Sequence, residues 1–195
     1  MQAVPAPSGA IAVVLLGFLT ANSALARVTE TSTRQTYEVR AATGDSLFNA
    51  LNGATPLHED SKPYHADTRW SLNWTFQWKT TPQGQCQISS VAVDLSVTMT
   101  MPQLKSGSPA VTAQFKRYFA ALLTHEEGHR AIARKAADQA ERAIAQLPPQ
   151  LSCALLDQEA NRTGMAILDE AKWKSIDYDN TTRHGCTQGA CLTLP

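Results

Sequence analysis

The chain has 195 residues, with 17 basic and 17 acidic side chains, so its formal net charge at pH 7 is zero. This balance argues against nucleic acid as a partner, because proteins bind polyanions through an excess of positive charge. The length is sufficient for one domain with a substantial hydrophobic core.

The N-terminal segment has the pattern of an export signal. Residues 9–20 form an uncharged apolar run, and Ala24-Leu25-Ala26 fits a cleavage site of small residues. We expect residues 1–26 to be a signal peptide, whose removal leaves 169 residues. A membrane anchor is the alternative, but the run is shorter than the roughly 20 residues that cross a bilayer. The sequence therefore predicts a periplasmic or secreted protein without a membrane span after signal removal.

The start of the mature chain is polar. Residues 27–35 have no apolar periodicity and are expected to form a flexible leader, followed by one domain over residues 36–195. Tyr37 and Val39 alternate with polar neighbours, which favours a short strand. The Gly44-Asp45-Ser46 segment can cap a short helix that runs through Leu47 to Leu51 and ends before Gly53.

Two later segments alternate apolar and polar residues. In residues 70–78, four aromatic side chains and one leucine share a parity, and residues 91–101 repeat the pattern with Val, Leu and Met. The parity changes near Ser89 and Ser90, which predicts a β-bulge. A turn at residues 82–84 joins the segments, so we expect a long antiparallel hairpin with one apolar face.

Two helical segments follow. Residues 109–146 are rich in Ala and charged residues, and the Pro148-Pro149 pair ends this helix. Residues 150–173 form the second helix, and the short connection favours an antiparallel pair. The remaining residues, 175–195, lack periodicity and are expected to form a loop. The predicted fold class is α+β, with an antiparallel sheet packed on a long helix and a second, antiparallel helix.

The four cysteines are an even set in a chain with an export signal, which favours disulfides. Cys186 and Cys191 are close in sequence and lie near glycines, so they can close a local loop. That pairing leaves Cys86 with Cys153. A zinc site built from thiolates is the alternative, but it lacks any CxxC spacing.

A motif with chemical meaning, His125-Glu126-Glu127-Gly128-His129, lies within the first long helix. Residues four apart share one helix face, so the imidazoles of His125 and His129 can bind a single zinc ion. Glu126 is placed beside them to act as general base on a zinc-activated water. The alternative is a surface helix whose His and Glu residues face water. A histidine pair on a core-facing stripe argues against it, because burying unpaired polar groups is costly.

A catalytic zinc has three protein ligands and an open position, so a third ligand must come from further along the chain. We favour His184, in a loop that a disulfide would tie down. Its rivals are acids on the second helix, since a reversal at the proline pair would bring residue 167 level with His129. These rivals are Glu159, Asp169 and Glu170.

Other polar residues near the C-terminus are candidates for supporting roles. Tyr178 can donate to the oxyanion that forms during peptide hydrolysis, with a packed surface tyrosine as the alternative. Asp177 and Asp179 can hold a ligand histidine through its other ring nitrogen. We assign no role to His58 and His65.

Together, the export signal, the Trp-rich and Val-rich strands, the HEEGH helix and the tail motif YDNTTRHG resemble the DUF922 family of bacterial proteins, described as predicted secreted zinc-dependent proteases. The resemblance covers essentially the whole mature chain and implies a zincin-like peptidase fold and a periplasmic or secreted location. The family motif maps onto His125, Glu126, His129, Tyr178, Asp179, Thr182, His184 and Gly185.

The function expected from these patterns is hydrolysis of peptide or amide bonds in a peptide or protein substrate. Zn2+ is the expected cofactor and Glu126 the expected base. The alternative is a non-catalytic cell-envelope protein with a binding or structural role, whose fold zinc merely stabilises. A chain without metal is a third possibility.

Overall fold

The computed structural model describes residues 25–192, so nearly all of the expected signal peptide lies outside the described residues. Over these residues the fold is mixed α+β, with a small main sheet and three α-helices. In chain order the elements are β1 (Leu25–Arg40), α1 (Leu47–Ala54), β2 (His58–Glu59), β3 (Lys62–Pro63), β4 (Asp67–Thr80), β5 (Cys86–Ser106), α2 (Pro109–Ala145) and α3 (Cys153–Thr182), followed by a short 3₁₀ turn at Cys186–Gln188.

The main sheet has the strand order β1-β5-β4. The expected antiparallel hairpin is confirmed as β4 and β5. The expected bulge is also confirmed: Gln77 pairs with Ser90 and Trp78 with Ile88, so Ser89 is the extra residue. The expectation of an all-antiparallel sheet is wrong, because β1 pairs with β5 in parallel.

Strand β1 also replaces the flexible leader expected over residues 27–35, which are all part of it. Its residues are rich in threonine, which is favourable in strands. An edge strand needs main-chain pairing on one side only, so it can form without the apolar alternation of a buried strand. Its Glu30 is held by Arg130 and Arg134 of α2, at 2.6 and 3.5 Å.

Helices α2 and α3 both contact the sheet. The apolar parity of β5 is buried, from Val91 to Met101. Helix α2 begins as predicted, with the Ser108 side chain accepting a hydrogen bond from the main chain of Val111 and with Pro109 in its first turn. Alanines in the second half of α2 are fully buried, and their small size permits close packing against α3 and the sheet. They are Ala133, Ala136, Ala137 and Ala140.

Helix α3 is longer than predicted. It continues through residues 175–182, which were expected to be loop, and ends where Arg183 and His184 adopt left-handed backbone conformations. No proline or glycine interrupts the chain between Gly164 and Gly185, so the helix has no reason to stop earlier. The YDNTT part of the tail motif is therefore helical.

Both expected disulfides are present: Cys86–Cys153, called here the core bridge, and Cys186–Cys191, called the tail bridge. These two bonds are consistent with an extracytoplasmic protein. Within residues 25–192, no helix combines the length and apolarity required to cross a bilayer.

Candidate metal centre

Three potential metal ligands converge on the floor of a cleft. The Nε2 atoms of His125 and His129, one turn apart on α2, are 3.3 Å from each other. The Asp179 Oδ1 atom from α3 lies 3.1 Å from the first and 3.0 Å from the second. Both histidines are buried, with 5 and 8 % exposed surface. Two imidazole nitrogens and one carboxylate oxygen form a donor set that suits zinc.

The outer nitrogen of each imidazole has its own partner. His125 Nδ1 lies 3.0 Å from the Gln188 side-chain oxygen, and His129 Nδ1 lies 2.8 Å from Ser175 Oγ. Such contacts fix the orientation of a ligand histidine and direct its other nitrogen inward. The two Nε2 atoms therefore face the same point.

The charges of the cluster are mutually stabilising. Burial opposes ionisation of Asp179, but its contacts with His125 and His129 outweigh this and hold its pKa well below the usual range. Burial likewise opposes the charged form of His125, yet hydrogen bonds to Asp179 and Gln188 raise its pKa. The carboxylate is therefore ionised, as a metal ligand must be.

Glu126 lies beside the cluster and is almost fully buried, with 3 % exposed surface. Its Oε2 atom accepts a 2.6 Å hydrogen bond from the Thr68 hydroxyl at the start of β4. Burial raises the pKa of Glu126, while the Thr68 hydrogen bond and the two histidines act against this rise. This hydrogen bond engages Oε2 and leaves Oε1 as the oxygen that can accept a proton.

Tyr178 lies against His125. Its ring stacks on that imidazole, with centroids 5.0 Å apart and an interplanar angle of 10°. The phenol hydroxyl lies 3.3 Å from the main-chain oxygen of His125. Gly128 permits this approach, because a Cβ atom there would overlap the Tyr178 hydroxyl. These contacts support a packing role, and the expected role of Tyr178 at an oxyanion stays a prediction.

His184 lies near the cluster but is not one of the three residues that converge. Its Nδ1 atom is 3.8 Å from Asp179 Oδ1, and its side chain is 75 % exposed. The acidic residues of α3 that were alternative candidates for the third ligand do not lie at the cluster. Glu159, Asp169 and Glu170 pair with Arg162, Lys172 and Lys174 of α3 itself, and none of them lines the cleft.

The expectation that residue 167 would lie level with His129 was wrong, because the chain between α2 and α3 does not simply reverse at the proline pair. Gln150 forms two main-chain hydrogen bonds with Cys86, of 2.8 and 2.9 Å, and α3 begins only at Cys153. Ser175 rather than residue 167 therefore contacts His129. One turn later, Asp179 reaches both histidines.

The cleft above the cluster has a volume of about 840 Å³. Its lining includes residues 58–60 and 62–68, which contain the β2 and β3 strands, and residues from the end of α3 and the tail. Apolar side chains line part of it, notably Phe48, Leu122 and Leu192. The volume is that of a binding site for a drug-sized ligand or a short peptide segment.

The family model DUF922, "Bacterial protein of unknown function", matches residues 34–185 of the chain. This chain belongs to the DUF922 family. The DUF922 match contains all three candidate ligands and Glu126, but it ends before Gln188 and the tail bridge. Comparisons with curated proteins and with solved structures find no match.

Several residues near the site were missed or misassigned in the sequence. Asp179 was expected to hold the outer ring nitrogen of a ligand histidine. If the second helix had been extended to Gly185, Asp179 would have been placed one turn after Ser175. Thr68 shares the parity of the apolar β4 residues, so a polar side chain on the core face was a usable signal. His65 is bonded to Tyr118 at 2.7 Å, and no sequence pattern indicated this contact.

Proposed function

We propose that this protein is a zinc-dependent hydrolase of peptide or amide bonds, located in the periplasm or secreted, with a zincin-like arrangement of helix and sheet. The observation that carries the proposal is the convergence of two imidazole nitrogens and a carboxylate oxygen at the floor of an open cleft, beside a buried glutamate.

The proposed zinc ligands are His125, His129 and Asp179. Asp179 is preferred over His184 as the third ligand because its oxygen lies 3.0–3.1 Å from both Nε2 atoms, whereas the His184 side chain is mostly exposed. A zinc ion held by these groups supplies Lewis acidity, which acidifies a water molecule and polarises a carbonyl oxygen.

Glu126 is the proposed general base. The Thr68 hydroxyl holds Oε2, which orients the carboxylate and leaves Oε1 to accept the proton of an attacking water. The same carboxyl group then carries that proton to the leaving amine. Its burial limits competition from bulk water during this transfer.

The cleft supports a peptide as the substrate class. Its volume is sufficient for a short peptide segment, and its lining combines apolar side chains with polar groups such as Tyr64 and Asn180. The N-terminal apolar run and the two disulfides support a location outside the cytoplasm.

The metal assignment is tested by elemental analysis and zinc titration of protein purified without a His tag. We expect one zinc per chain, and a marked loss of affinity in Asp179→Asn. Asp177→Asn is the matched control, because Asp177 is exposed and two residues away on the same helix. His184→Ala tests the ligand favoured from sequence. A loss of affinity in His184→Ala with none in Asp179→Asn would reverse the assignment.

The catalytic assignment is tested with a pool of quenched fluorescent peptides. Glu126→Gln should retain zinc and lose activity by about 10²–10⁴-fold, the usual contribution of a general base. Glu127→Gln is the control, since its carboxylate pairs with Arg130 at the surface. Equal hydrolysis by Glu126→Gln and wild type would refute the mechanism. Zinc binding without any hydrolysis would favour the non-catalytic alternative.

A further inference from the structure

We infer that Gln188 is a positioning residue of the metal centre, whose amide oxygen holds His125 in the orientation that directs its Nε2 lone pair at the ion. This inference rests on the metal site of the proposed function, but it does not depend on hydrolysis. Gln188 lies beyond the residues matched by the family model, which end at 185.

The hydrogen bonds determine the direction of the amide. The Tyr178 hydroxyl donates to the main-chain oxygen of His125, so it accepts the 2.9 Å hydrogen bond from the Gln188 Nε2 group. The amide oxygen is thereby turned toward His125 Nδ1, at 3.0 Å. An amide oxygen can only accept, so the proton of His125 is held on Nδ1. Nε2 is then the nitrogen that faces Asp179.

The tail is built to keep Gln188 at this position. The 3₁₀ turn that carries it lies between Gly185 and Gly189, both with positive φ. The turn closes through hydrogen bonds to the main-chain oxygen of Gly185 from Gln188, at 2.9 Å, and from Ala190, at 3.0 Å. A Cβ atom at Gly185 would lie 3.0 Å from the His125 ring, so this segment rests directly on the imidazole.

The tail bridge encloses this turn, since its cysteines flank residues 187–190. The short closed ring restricts the positions that Gln188 can occupy. This restriction lowers the conformational entropy that is lost when the Gln188 side chain contacts His125. From the sequence, Asp177 and Asp179 were expected to hold the outer nitrogen of a ligand histidine. For His125, we assign this role to Gln188.

The test is the zinc affinity of full-length variants, measured by competition with a chromophoric chelator. Gln188→Leu removes the acceptor at similar size and should weaken zinc binding by about 10–100-fold, the usual effect of losing such a partner. Gln188→Glu keeps an acceptor in place and should recover most of the affinity. Thr187→Ala, at an exposed neighbour in the same turn, should bind zinc as wild type does.

The outcomes separate this inference from the proposed function. Equal zinc affinity in wild type and Gln188→Leu would overturn it, and so would a loss in Thr187→Ala as large as that in Gln188→Leu, because loop integrity would then be the cause. Failure of Gln188→Glu to recover affinity would also count against it. A wild type that binds no zinc overturns the metal centre and this inference together, whereas zinc binding without hydrolysis affects the proposed function alone.

Discussion

Gly128→Ala provides a test of the packing behind His125 that requires no metal and no substrate. Glycine within a helix is unfavourable, and replacing it with alanine ordinarily stabilises a helix by roughly 1 kcal/mol. At position 128 the structure predicts the opposite sign. A Cβ atom there would overlap the Tyr178 hydroxyl and lie 2.7 Å from its Cε1 atom.

The magnitude follows from the displacement that alanine would require. Non-bonded carbon atoms normally lie roughly 3.5–4.0 Å apart, so the Tyr178 ring would have to withdraw by about 1 Å. The ring cannot do so freely, because it stacks on His125 and is bonded to Gln188. Overpacking costs about 1–3 kcal/mol, and a weakened hydrogen bond costs about 1 kcal/mol more. After the helix gain is subtracted, we expect a net loss of about 2 kcal/mol.

The assay is urea unfolding of the metal-free protein with its disulfides intact. The expected readout is a free energy of unfolding about 2 kcal/mol below that of wild type. In a parallel thermal unfolding experiment, the same loss lowers Tm by roughly 4–8 °C for a chain of this size. Gly53→Ala in α1 is the matched control, because a Cβ atom there meets nothing within 4 Å, and it should be neutral or slightly stabilising. If Gly128→Ala stabilises the protein as much as Gly53→Ala does, the close contact with Tyr178 is not real.

Three further predictions concern stability. Thr68→Val removes the hydroxyl bonded to the buried Glu126 and should cost about 1–3 kcal/mol in urea unfolding, whereas Thr68→Ser should recover most of it; equal stability of the two variants would contradict the role of the hydroxyl. Burial lowers the pKa of His65 below its ordinary value of 6.5, so the unfolded chain binds a proton that the folded chain does not, and stability should fall as the pH drops through 6.5. The decrease in stability should be smaller in His65→Gln. If this variant showed the same pH dependence of stability as wild type, the prediction would be contradicted. The core bridge joins residues 67 apart and the tail bridge residues 5 apart, so replacing the core pair by serine should cost roughly 4 kcal/mol and the tail pair about half as much; a larger loss for the tail pair would contradict this order.

The sequence by itself was sufficient wherever the structure depends on a local pattern. The alternation along β4 and β5 predicted the hairpin, and its change of parity predicted the bulge at Ser89. The change to an Ala-rich, charged segment at residue 109 and the Pro148-Pro149 pair predicted where α2 begins and ends. The two glycines around the tail cysteines indicated the disulfide pairing. In each case neighbouring residues carry the information, because strand and helix periods act over a few residues.

The third candidate ligand was decided only by tertiary structure. Which α3 residue meets His129 depends on where the connection after α2 is anchored, and Gln150 is anchored by pairing with Cys86, far away in sequence. That pairing brings Asp179, rather than Asp169 or Glu170, to the histidines. Strand β1 shows the same limit, since its polar residues become a strand only when the main chain of β5 is available beside them. Contacts between distant segments depend on such anchoring points, and no local period encodes them.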